Sequence, residues 1–411
     1  MRTLITNIGT VVTGDIDAPF ADADSILIED GRITAIGKGL DADAGSGGAA
    51  QLIDAKGTTA IPGLIDSHAH PVFGDFTPRQ QASNFIESGL HGGVTTVISA
   101  GEVHLPGRPK DIVGLKALAI VAAKAYGAFR PGGVKVHAGA PILELGLEEH
   151  DFADMAAGGV RLVGEIGLGS VKTGPQAAPM VAWAKQHGMI VTFHTGGPSI
   201  AGSNPIAADA VLEARPHIIG HVNGGTTPMS DRDIERVIDT DMAIEIVHCG
   251  NGRAAIHAVR VAAGLGDAPG ASGASGADTL AGLRRVIIGN DAPSGTGVVP
   301  LGILRVMAHL ASLGGVAPEM AVAMATGNTA RVHGLDVGVL APGKVADIAL
   351  IDAPVGSSAS TALDAFRVGD LPGISMVLID GVVMIGRSRN TPPASRAAEV
   401  VGAGSPSAGG H

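Results

Sequence analysis

The amino-acid sequence predicts an α/β protein, a (β/α)8 TIM barrel with a small composite β-sandwich domain formed by both termini. Two observations lead to this prediction. Apolar runs of strand length alternate with segments of helical pattern between residues 62 and 335, and strand-like runs with hairpin signals occupy both ends. Alternation of this kind over ~270 residues is typical of a parallel barrel. The 411 residues suffice for one barrel and one small companion domain.

The two ends of the chain share a β-rich character. Near the amino terminus, apolar or alternating runs occupy residues 3–10, 25–29 and 32–36, and Asp30-Gly31 between the last two favours a two-residue hairpin. Near the carboxyl terminus, similar runs occupy residues 345–352 and 376–385. We therefore expect residues 1–61 and 336–390 to form the composite β-sandwich domain. Residues 391–411 are expected to be a partly disordered C-terminal extension.

The middle of the chain, residues 62–335, is predicted to form the barrel. Eight apolar runs of strand length mark it, at residues 61–65, 94–99, 134–136, 160–163, 190–193, 217–219, 243–247 and 286–288. Segments of helical length separate most of these runs. The Gly/Ala/Ser-rich stretch 264–282 is predicted to be a mobile surface loop between the seventh and eighth strands.

Composition excludes several classes of protein. The chain has 39 acidic against 28 basic residues and a net charge of −11, which argues against a general nucleic-acid binder. Its single cysteine, Cys249, excludes an intrachain disulfide framework and a cysteine-based zinc site. No segment resembles a signal peptide or a membrane span. We expect a cytoplasmic protein with a small-molecule substrate and no nucleic-acid or membrane partner.

Polar residues follow the apolar runs where chemistry in a barrel resides, at the carboxyl ends of the strands. The first run leads into Asp66-Ser67-His68-Ala69-His70, and residues two apart in an extended segment point the same way. His68 and His70 can therefore face the barrel mouth together. Further polar residues follow the fourth, fifth, sixth and eighth runs: Glu165, His194, His221 and Asp291.

Each of these residues also has an ordinary structural explanation. Glu165 could be a solvated acid at a strand end, and His194 and His221 could be hydrogen-bonded core residues. Asp291 could cap the next helix or shape a turn. Four histidines and two carboxylates, all at strand ends, nevertheless favour a shared metal site. Nitrogen and oxygen ligands suit Zn²⁺, Fe²⁺, Mn²⁺ or Co²⁺.

Six ligands are too many for one tetrahedral catalytic ion that keeps an open position. Two ions sharing a bridging carboxylate, Glu165, fit better. One ion would then be held by His68, His70 and Asp291, and the other by His194 and His221. Such a pair activates water and polarises a carbonyl, and Asp291 could carry the proton to a leaving nitrogen. The pattern therefore predicts metal-assisted hydrolysis of an electrophilic carbon.

Several segments are similar to those of the amidohydrolase superfamily, and the chain is identified as a member. They are PGLIDSHAH at 62–70, GVTTV at 93–97, the histidines after strands five and six, the aspartate after strand eight, and GVLAPGKVADIALID at 338–352. The resemblance implies a centre of two divalent metal ions, Zn²⁺ and/or Fe²⁺, and hydrolysis of a cyclic-amide C–N bond. Within the superfamily, the stretches HGGVTTVISAG at 91–101, FHTGG at 193–197, HVNGG at 221–225 and IIGNDAPSGTG at 287–297 are most similar to members that open the ring of a reduced nicotinate derivative. This narrower resemblance implies conversion of 6-oxo-1,4,5,6-tetrahydronicotinate to 2-formylglutarate and ammonia. A homo-oligomer, expected to be a tetramer, is also implied.

The same resemblance assigns roles to individual residues. The implied metal ligands are His68, His70, Glu165, His194, His221 and Asp291. Asp291 also takes the general acid–base role. Many relatives bridge their metals with a carboxylated lysine, whereas the strand-four position here is Glu165. Lys135 on the third strand is the rival bridging residue.

Candidates for substrate binding come from the strand ends and the neighbouring loops. His137 ends the third strand and could reach the substrate, although a structural hydrogen bond explains it equally well. Arg79, Arg108 and Lys110 lie in the loops after strands one and two. A substrate carboxylate would require one of them, since a guanidinium binds a carboxylate through two hydrogen bonds. Most loop cations are simply solvated.

Three alternatives to this function stay open on the sequence alone. The substrate could be another lactam, a hydantoin or a cyclic ureide. The enzyme could instead be a mononuclear heterocycle deaminase, although such enzymes carry a glutamate three residues after the strand-five histidine, where this chain has Gly197. A non-catalytic scaffold is the third alternative, and the retention of all six ligands argues against it.

Overall fold

The computed structural model describes residues 2–41, 51–71, 82–102, 107–198, 204–225, 227–265, 276–293, 297 and 299–401. Within these ranges it contains strands, α-helices and a short 3₁₀ helix at Pro131–Gly133. The strands are β1 Arg2–Thr6, β2 Thr10–Val12, β3 Phe20–Ala21, β4 Ser25–Glu29, β5 Arg32–Gly37, β6 Gln51–Asp54, β7 Thr59–Pro62, β8 Leu64–Ala69, β9 Val94–Ser99, β10 Lys135–His137, β11 Leu162–Ile166, β12 Ile190–Phe193, β13 Ile218–Ile219, β14 Ala243–Val247, β15 Val286–Gly289, β16 Ile348–Asp352, β17 Gly373–Ile379, β18 Val382–Ile385 and β19 Glu399–Val401.

Helices alternate with the central strands, as the sequence pattern predicts. They are α1 Ala82–Leu90, α2 Ile112–Ala128, α3 Glu149–Ala157, α4 Gly174–Gln186, α5 Ala208–Ala214, α6 Asp231–Ile238, α7 Gly252–Ala262, α8 Gly276–Leu283, α9 Gly302–Leu313, α10 Pro318–Met324, α11 Gly327–His333 and α12 Ala362–Val368. Several begin at polar caps that satisfy a free backbone N–H. Asp111 accepts from the Gly114 N–H at the start of α2, and Asn251 accepts from Ala254 at the start of α7.

The two ends of the chain form two sheets together. The five-stranded sheet has the order β19-β6-β1-β4-β5, and the six-stranded sheet has the order β18-β17-β16-β7-β2-β3. Apolar residues from both sheets, among them Ile5, Ile28, Ile348 and Leu378, belong to one buried hydrophobic cluster. The amino- and carboxyl-terminal parts of the chain therefore share a core. The division at residues 61 and 335 stays a prediction.

The hairpin turn predicted at Asp30-Gly31 is present, and a second turn of the same kind lies in the other sheet. Asp30 and Gly31 both have positive φ, 48° and 80°, and join β4 to β5. Asp380 and Gly381, with φ of 50° and 73°, join β17 to β18 in the same way. Positive φ at both turn residues is the requirement of the hairpin turn that Asp-Gly favours.

The central strands are parallel and lie in two sheets. One has the order β10-β9-β8 and the other β11-β12-β13-β14-β15. Backbone hydrogen bonds connect the two sheets at both edges. The Asp291 N–H donates to the His68 carbonyl at 2.7 Å beside β8 and β15, and the Gly164 N–H of β11 donates at 3.0 Å to the carbonyl of Pro141, which follows β10. All eight strands consequently end on the same side.

Two predicted strands prove to be pairs of strands. The run at residues 61–65 covers the end of β7 and the start of β8, because Gly63 breaks it. A Cβ at Gly63 would lie 2.2 Å from Thr95 Oγ1, so only glycine lets the chain pass there. The run at residues 3–10 is split into β1 and β2 at Asn7, whose φ is 54°.

The Gly/Ala/Ser-rich stretch is not a loop throughout. Residues 276–283 form helix α8, so the loop prediction for 264–282 is wrong at its carboxyl end. Thr279 donates from its hydroxyl to the Ala263 carbonyl, which fixes this helix against the end of α7. Residues 266–275 lie outside the described residues.

The extension predicted from residue 391 is ordered as far as residue 401. Strand β19 pairs antiparallel with β6, and Arg396 donates to both carboxylate oxygens of the buried Asp352. Residues 402–411 of the predicted extension lie outside the described residues. In the parts of the chain that it describes, we find no helix with the length and apolar character needed to cross a membrane.

Candidate metal centre

Six side chains predicted from the sequence meet at the carboxyl ends of the parallel strands. His68 and Glu165 lie within β8 and β11, while the others directly follow strands β8, β12, β13 and β15: His70, His194, His221 and Asp291. All six are buried, and none exceeds 7% exposure. Residues separated by up to 223 positions are thus assembled by the common direction of the strands.

Glu165 is at the centre of this cluster. Its Oε1 lies 2.6 Å from His221 Nε2, 3.3 Å from His194 Nδ1 and 3.4 Å from His68 Nε2. Its Oε2 lies 3.6 Å from His70 Nε2. One carboxylate therefore contacts all four histidines, as expected for a group that offers one oxygen to each of two sites.

Asp291 closes the opposite side of the cluster. Its Oδ1 lies 3.3 Å from His70 Nε2 and 3.8 Å from His68 Nε2. The backbone of Asp291 has a φ of 57°, an uncommon conformation for a residue other than glycine, and its N–H donates to the His68 carbonyl. The chain is thus turned at this residue beside the two histidines.

The cluster fits divalent metal ions. Two groups of three ligand atoms each converge within 4.8 Å: His68, His70 and Asp291 form one, and His68, Glu165 and His221 form the other. His68 Nε2 and His221 Nδ1 are buried without a hydrogen-bond partner in the described part of the chain. Buried polar atoms are normally paired, so the unpaired His68 Nε2, which lies 3.4 Å from Glu165 Oε1 and 3.8 Å from Asp291 Oδ1, is consistent with coordination to an ion.

A second layer of contacts orients the histidines. Glu245, in the middle of β14, accepts hydrogen bonds from His68 Nδ1 and Ser67 Oγ, each at 2.6 Å, and from the His221 backbone N–H at 3.2 Å. The His70 Nδ1–H donates to the Gly101 carbonyl at 2.9 Å. Both hydrogen bonds direct Nε2 of the respective ring towards the carboxylates. This arrangement is usual for metal-binding histidines.

The charges in the cluster stabilise one another. Burial alone would raise the pKa of Glu165, but the adjacent His68 and His221 hold that pKa well below its usual range. Burial would lower the pKa of His68, and Glu245 and Glu165 reverse this effect and raise it. Burial would raise the pKa of Asp291, but the hydrogen bond to His70 and the charges of His68 and His221 together lower it. Both carboxylates are therefore ionised at neutral pH.

Asp66 has a different environment. Burial raises the pKa of its carboxyl to about 7, although the backbone N–H groups of His68 and Asn290 donate to it. These two hydrogen bonds, at 3.1 and 2.9 Å, connect β8 to the end of β15. Asp66 thereby fixes the position of His68 relative to Asp291.

The substrate-binding candidates are not brought into the cluster. Arg108 Nη2 donates to Glu144 Oε1 at 3.0 Å, and Lys110 is exposed. His137 lies on the wall of a cavity with Lys135 and His333. Arg79 lies outside the described residues. These four residues stay predictions without support from the geometry of the cluster.

The rival bridging lysine, Lys135, has other partners. Its Nζ lies 2.6 Å from both carboxylate oxygens of Asp347 and 2.9 Å from Asp380 Oδ1. Asp347 is fully buried, so Lys135 is required there as its counter-ion. Lys135 therefore joins the central strands to the terminal sheets and takes no part in the cluster.

Sequence reasoning missed the supporting roles of Glu245 and Asp66. A signal for Glu245 exists, since it is an acid at the centre of the otherwise apolar strand AIEIV. A buried carboxylate in such a strand needs a partner inside the protein. Asp66 precedes His68 by two positions and so lies on the same side of β8.

Comparisons with known proteins agree with this geometry. The amidohydrolase family profile matches residues 59–384. An enamidase from Eubacterium barkeri is 52% identical over 402 residues, which cover 97% of this chain and 100% of that protein. An imidazolonepropionase from Paenarthrobacter aurescens is 40% identical over 99 residues, 24% of this chain and 23% of that protein.

Solved structures give the same result. A crystal structure of enamidase superposes with a TM-score of 0.90 at 52% identity, covering 98% of this chain and 100% of that one. A β-aspartyl dipeptidase from Fervidobacterium islandicum AW-1 reaches a TM-score of 0.60 at 17% identity, covering 94% and 97% of the two chains, and shows likeness of fold alone. The profile match and the full-length similarity both show that the chain belongs to the amidohydrolase family.

Proposed function

We propose that this chain is a binuclear metal-dependent hydrolase that opens a cyclic amide. The proposed substrate is 6-oxo-1,4,5,6-tetrahydronicotinate, and the reaction consumes two waters. The first water cleaves the amide C–N bond and opens the ring to an enamine, and the second hydrolyses the enamine C–N bond to give 2-formylglutarate and ammonia. The observation that carries the proposal is the buried cluster of four histidines around Glu165, with Asp291 at its side. Full-length similarity to an enamidase supports the choice of substrate.

The six clustered residues are the proposed metal ligands. His68, His70 and Asp291 hold one ion, His194 and His221 hold the other, and Glu165 bridges the two. The short contacts from Glu165 to all four histidines support this assignment. Nitrogen and oxygen ligands favour Zn²⁺, Fe²⁺ or one of each. Such ions polarise a carbonyl and lower the pKa of water.

Asp291 is the proposed general acid–base. Its carboxylate is ionised at neutral pH and can accept a proton from the attacking water. Once protonated, the same oxygen can donate to the amide nitrogen as the C–N bond breaks. The other carboxylate beside the histidines, Glu165, contacts four rings and is less free to exchange a proton.

We also propose that the eight parallel strands close into a (β/α)8 barrel beside a composite β-sandwich. The backbone hydrogen bonds at both edges of the two parallel sheets support closure. The hydrophobic cluster common to the two terminal sheets supports the sandwich. In this architecture, the metal centre lies at the mouth of the barrel, where catalysis takes place in proteins of this fold.

The proposed setting is the cytoplasm, where the enzyme acts as a homo-oligomer. A tetramer is the expected state, and light scattering coupled to size-exclusion chromatography measures it directly. A monomer at working concentration would contradict the proposal for assembly without affecting that for catalysis.

Ammonia release from 6-oxo-1,4,5,6-tetrahydronicotinate tests the proposed reaction. We expect release by protein loaded with Zn²⁺ or Fe²⁺ and none by chelated protein. Replacing Asp291 with Asn should lower kcat by roughly 10²- to 10⁴-fold, the usual contribution of general acid–base catalysis. Glu149→Gln, a change of an exposed residue on α3, is the matched control. Equal rates for D291N and E149Q would contradict the role of Asp291.

A second candidate is the hydrolysis of another lactam, a hydantoin or a cyclic ureide. It is favoured by one observation: Arg108, a predicted partner for the substrate carboxylate, is already paired with Glu144. A panel of cyclic amides with and without a carboxylate distinguishes the two candidates. Faster turnover of the compounds without a carboxylate would favour the second.

A mononuclear deaminase is a poorer candidate. The residue three positions after His194 is Gly197, and a side chain at this position would place its Cβ 2.8 Å from Thr227 Cβ. A glutamate therefore does not fit at the place where a deaminase carries its proton donor. About one metal ion per active chain, measured by elemental analysis, would reverse this preference.

A further inference from the structure

A cavity of about 850 Å³ lies on the opposite side of the parallel strands from the histidine cluster. Its wall includes Arg161 and Gly188, which precede strands β11 and β12, and the end of helix α11 from Arg331 to His333. The metal-centre residues lie at the other ends of these strands. The cavity is thus separate from the proposed catalytic site, and its volume is in the range of small-molecule sites.

The wall of this cavity is basic. Among its lining residues are the cations Arg130, Lys135, Arg161 and Arg331 and the imidazoles of His137 and His333. No aspartate or glutamate is among the lining residues in the described part of the chain. The protein as a whole carries a net charge of −11, so the cavity concentrates positive charge against the general trend. A cavity of this kind attracts anions.

Arg161 and Arg331 are the two cations of the wall with donors to offer a ligand. The other two, Arg130 and Lys135, are paired with Asp380 and Asp347. By contrast, Arg161 and Arg331 donate only to backbone carbonyls within the described ranges, and neither forms an ion pair with a carboxylate there. A guanidinium has five N–H donors, so each of the two retains donors for an anionic group.

His333 also belongs to the wall of the cavity. Both of its ring nitrogens are buried and have no hydrogen-bond partner among the described residues. Because neither nitrogen is open to the cavity, His333 contributes to the shape of the wall, and the donors for a ligand are those of Arg161 and Arg331.

The rest of the wall is apolar. Ile98, Leu162, Ile190 and Leu335 line it together with the basic residues. Inorganic phosphate would satisfy the cations and leave these side chains in contact with water. A ligand that uses the whole cavity combines an apolar body with an anionic group.

We propose that this cavity binds a small organic anion, with a carboxylate or phosphate group held by Arg161 and Arg331 and an apolar body against Ile98, Leu162, Ile190 and Leu335. The site is independent of the proposed cyclic-amide hydrolysis, since it shares no lining residue with the metal centre.

Calorimetric titration tests this site on the full-length protein. The probes are phthalate and phenyl phosphate, which carry the two anionic groups on an aromatic body, with inorganic phosphate and neutral benzamide for comparison. We expect at least one aromatic anion to bind with a Kd of about 1 mM or tighter. Inorganic phosphate and benzamide should each bind at least ten-fold more weakly. Whichever aromatic anion binds better identifies the anionic group.

Paired variants locate the binding. The double change Arg161→Ala and Arg331→Ala should weaken binding of the aromatic anion at least ten-fold. The control, Arg232→Ala with Arg387→Ala, removes the same charge from exposed positions outside the cavity and should leave binding unchanged. Binding should also persist in Glu165→Ala protein, which separates this site from the metal centre. Circular dichroism checks that each variant is folded, and R161Q and R331Q singly replace the double variant if it is not.

Three results would overturn the proposal. The first is the absence of aromatic-anion binding to the native protein at about 10 mM. The second is equal binding by the cavity variants and the control pair. The third is loss of binding in Glu165→Ala protein, which would place the anion at the metal centre. None of these results bears on the ammonia-release assay, so this proposal and the proposed function can fail separately.

Discussion

The two ends of the parallel strands carry opposite chemistry. At the carboxyl ends, four histidines and two carboxylates are buried in mutual contact, and no lysine or arginine enters the cluster among the described residues. At the amino ends, lysine and arginine side chains surround a cavity whose described lining contains no carboxylate. The same strands therefore present acceptors and metal-type ligands at one end and cations at the other.

Charged side chains have different roles at the two ends of the strands. Lys135 at the amino end neutralises the buried Asp347 and thereby connects two parts of the fold. At the carboxyl end, Glu165 is surrounded by four histidines, and His68 Nε2 beside it has no hydrogen-bond partner in the described part of the chain, an arrangement that an ion would complete. The first pattern supports stability, and the second is suited to binding.

Substitution of Glu165 should give the largest effect, because it removes the carboxylate at the centre of the histidine cluster. Glu165→Ala removes the group that contacts all four histidines, so we expect metal content and activity to fall together. The loss of activity should exceed the roughly 10- to 100-fold effect that is typical of residues behind the ligands. Elemental analysis and ammonia release measure the two losses. Retention of both metal and activity would exclude a bridging role.

Glu245→Gln should have an intermediate effect. The amide keeps the size of the side chain but weakens the hydrogen bond that orients His68. We expect metal affinity or activity to fall by roughly 10- to 100-fold. Competition with a metal-binding dye gives the affinity, and kcat is measured at saturating metal. Ser67→Ala removes the hydrogen bond from the Ser67 hydroxyl to Glu245 and leaves those from His68 and the His221 backbone, so it should have a smaller effect. An effect of S67A larger than that of E245Q would contradict the proposed order.

Lys135→Ala tests the structural role at the amino ends. The substitution leaves Asp347 buried without its counter-ion, and we expect a loss of about 3 kcal/mol in the free energy of unfolding. Urea denaturation measures it, with the exposed Lys124→Ala on α2 as control. Metal content should be unchanged. Loss of metal from folded K135A protein would instead restore Lys135 as a bridging ligand.

His217 gives a smaller, pH-dependent effect. Burial lowers the pKa of its imidazole from 6.5 to about 4, and its Nδ1 accepts the Val191 N–H at 3.1 Å. Between these two pH values the unfolded chain binds the proton and the folded protein does not, so stability falls as pH decreases from 6.5 to 4. Replacing His217 with Asn, which cannot titrate, should reduce this slope in urea denaturation. Equal slopes in native and H217N protein would contradict the assignment.

Much of the site could be predicted because residues that follow parallel strands lie together at the carboxyl ends of those strands. His194 and Asp291 follow apolar runs, and the carboxyl ends of parallel strands meet, so their proximity requires no knowledge of side-chain packing. The hydrogen bond from His68 to Glu245 could not be predicted in this way. It joins residues 177 positions apart and depends on the rotamers of two side chains within the packed interior.

The same limit explains the errors in the fold. The run at residues 61–65 is continuous in hydrophobicity, and the break at Gly63 depends on Thr95 from the neighbouring strand. Helix α8 lies in a stretch whose composition favours a loop, and its contact with Ala263 is part of what holds it in place. Local pattern decides neither case because contacts distant in sequence determine the outcome.

The single residue between β7 and β8 has a consequence for protein engineering. β7 lies in a terminal sheet between β2 and β16, and Gly63 alone separates it from the strand that carries His68. Insertion of one residue there, with β7 held in place, would reverse which side of β8 each residue faces and turn His68 and His70 away from Glu165. We therefore expect circular permutation or excision of the central segment at this junction to displace His68 and His70 and abolish metal binding. Cuts in exposed loops should be tolerated.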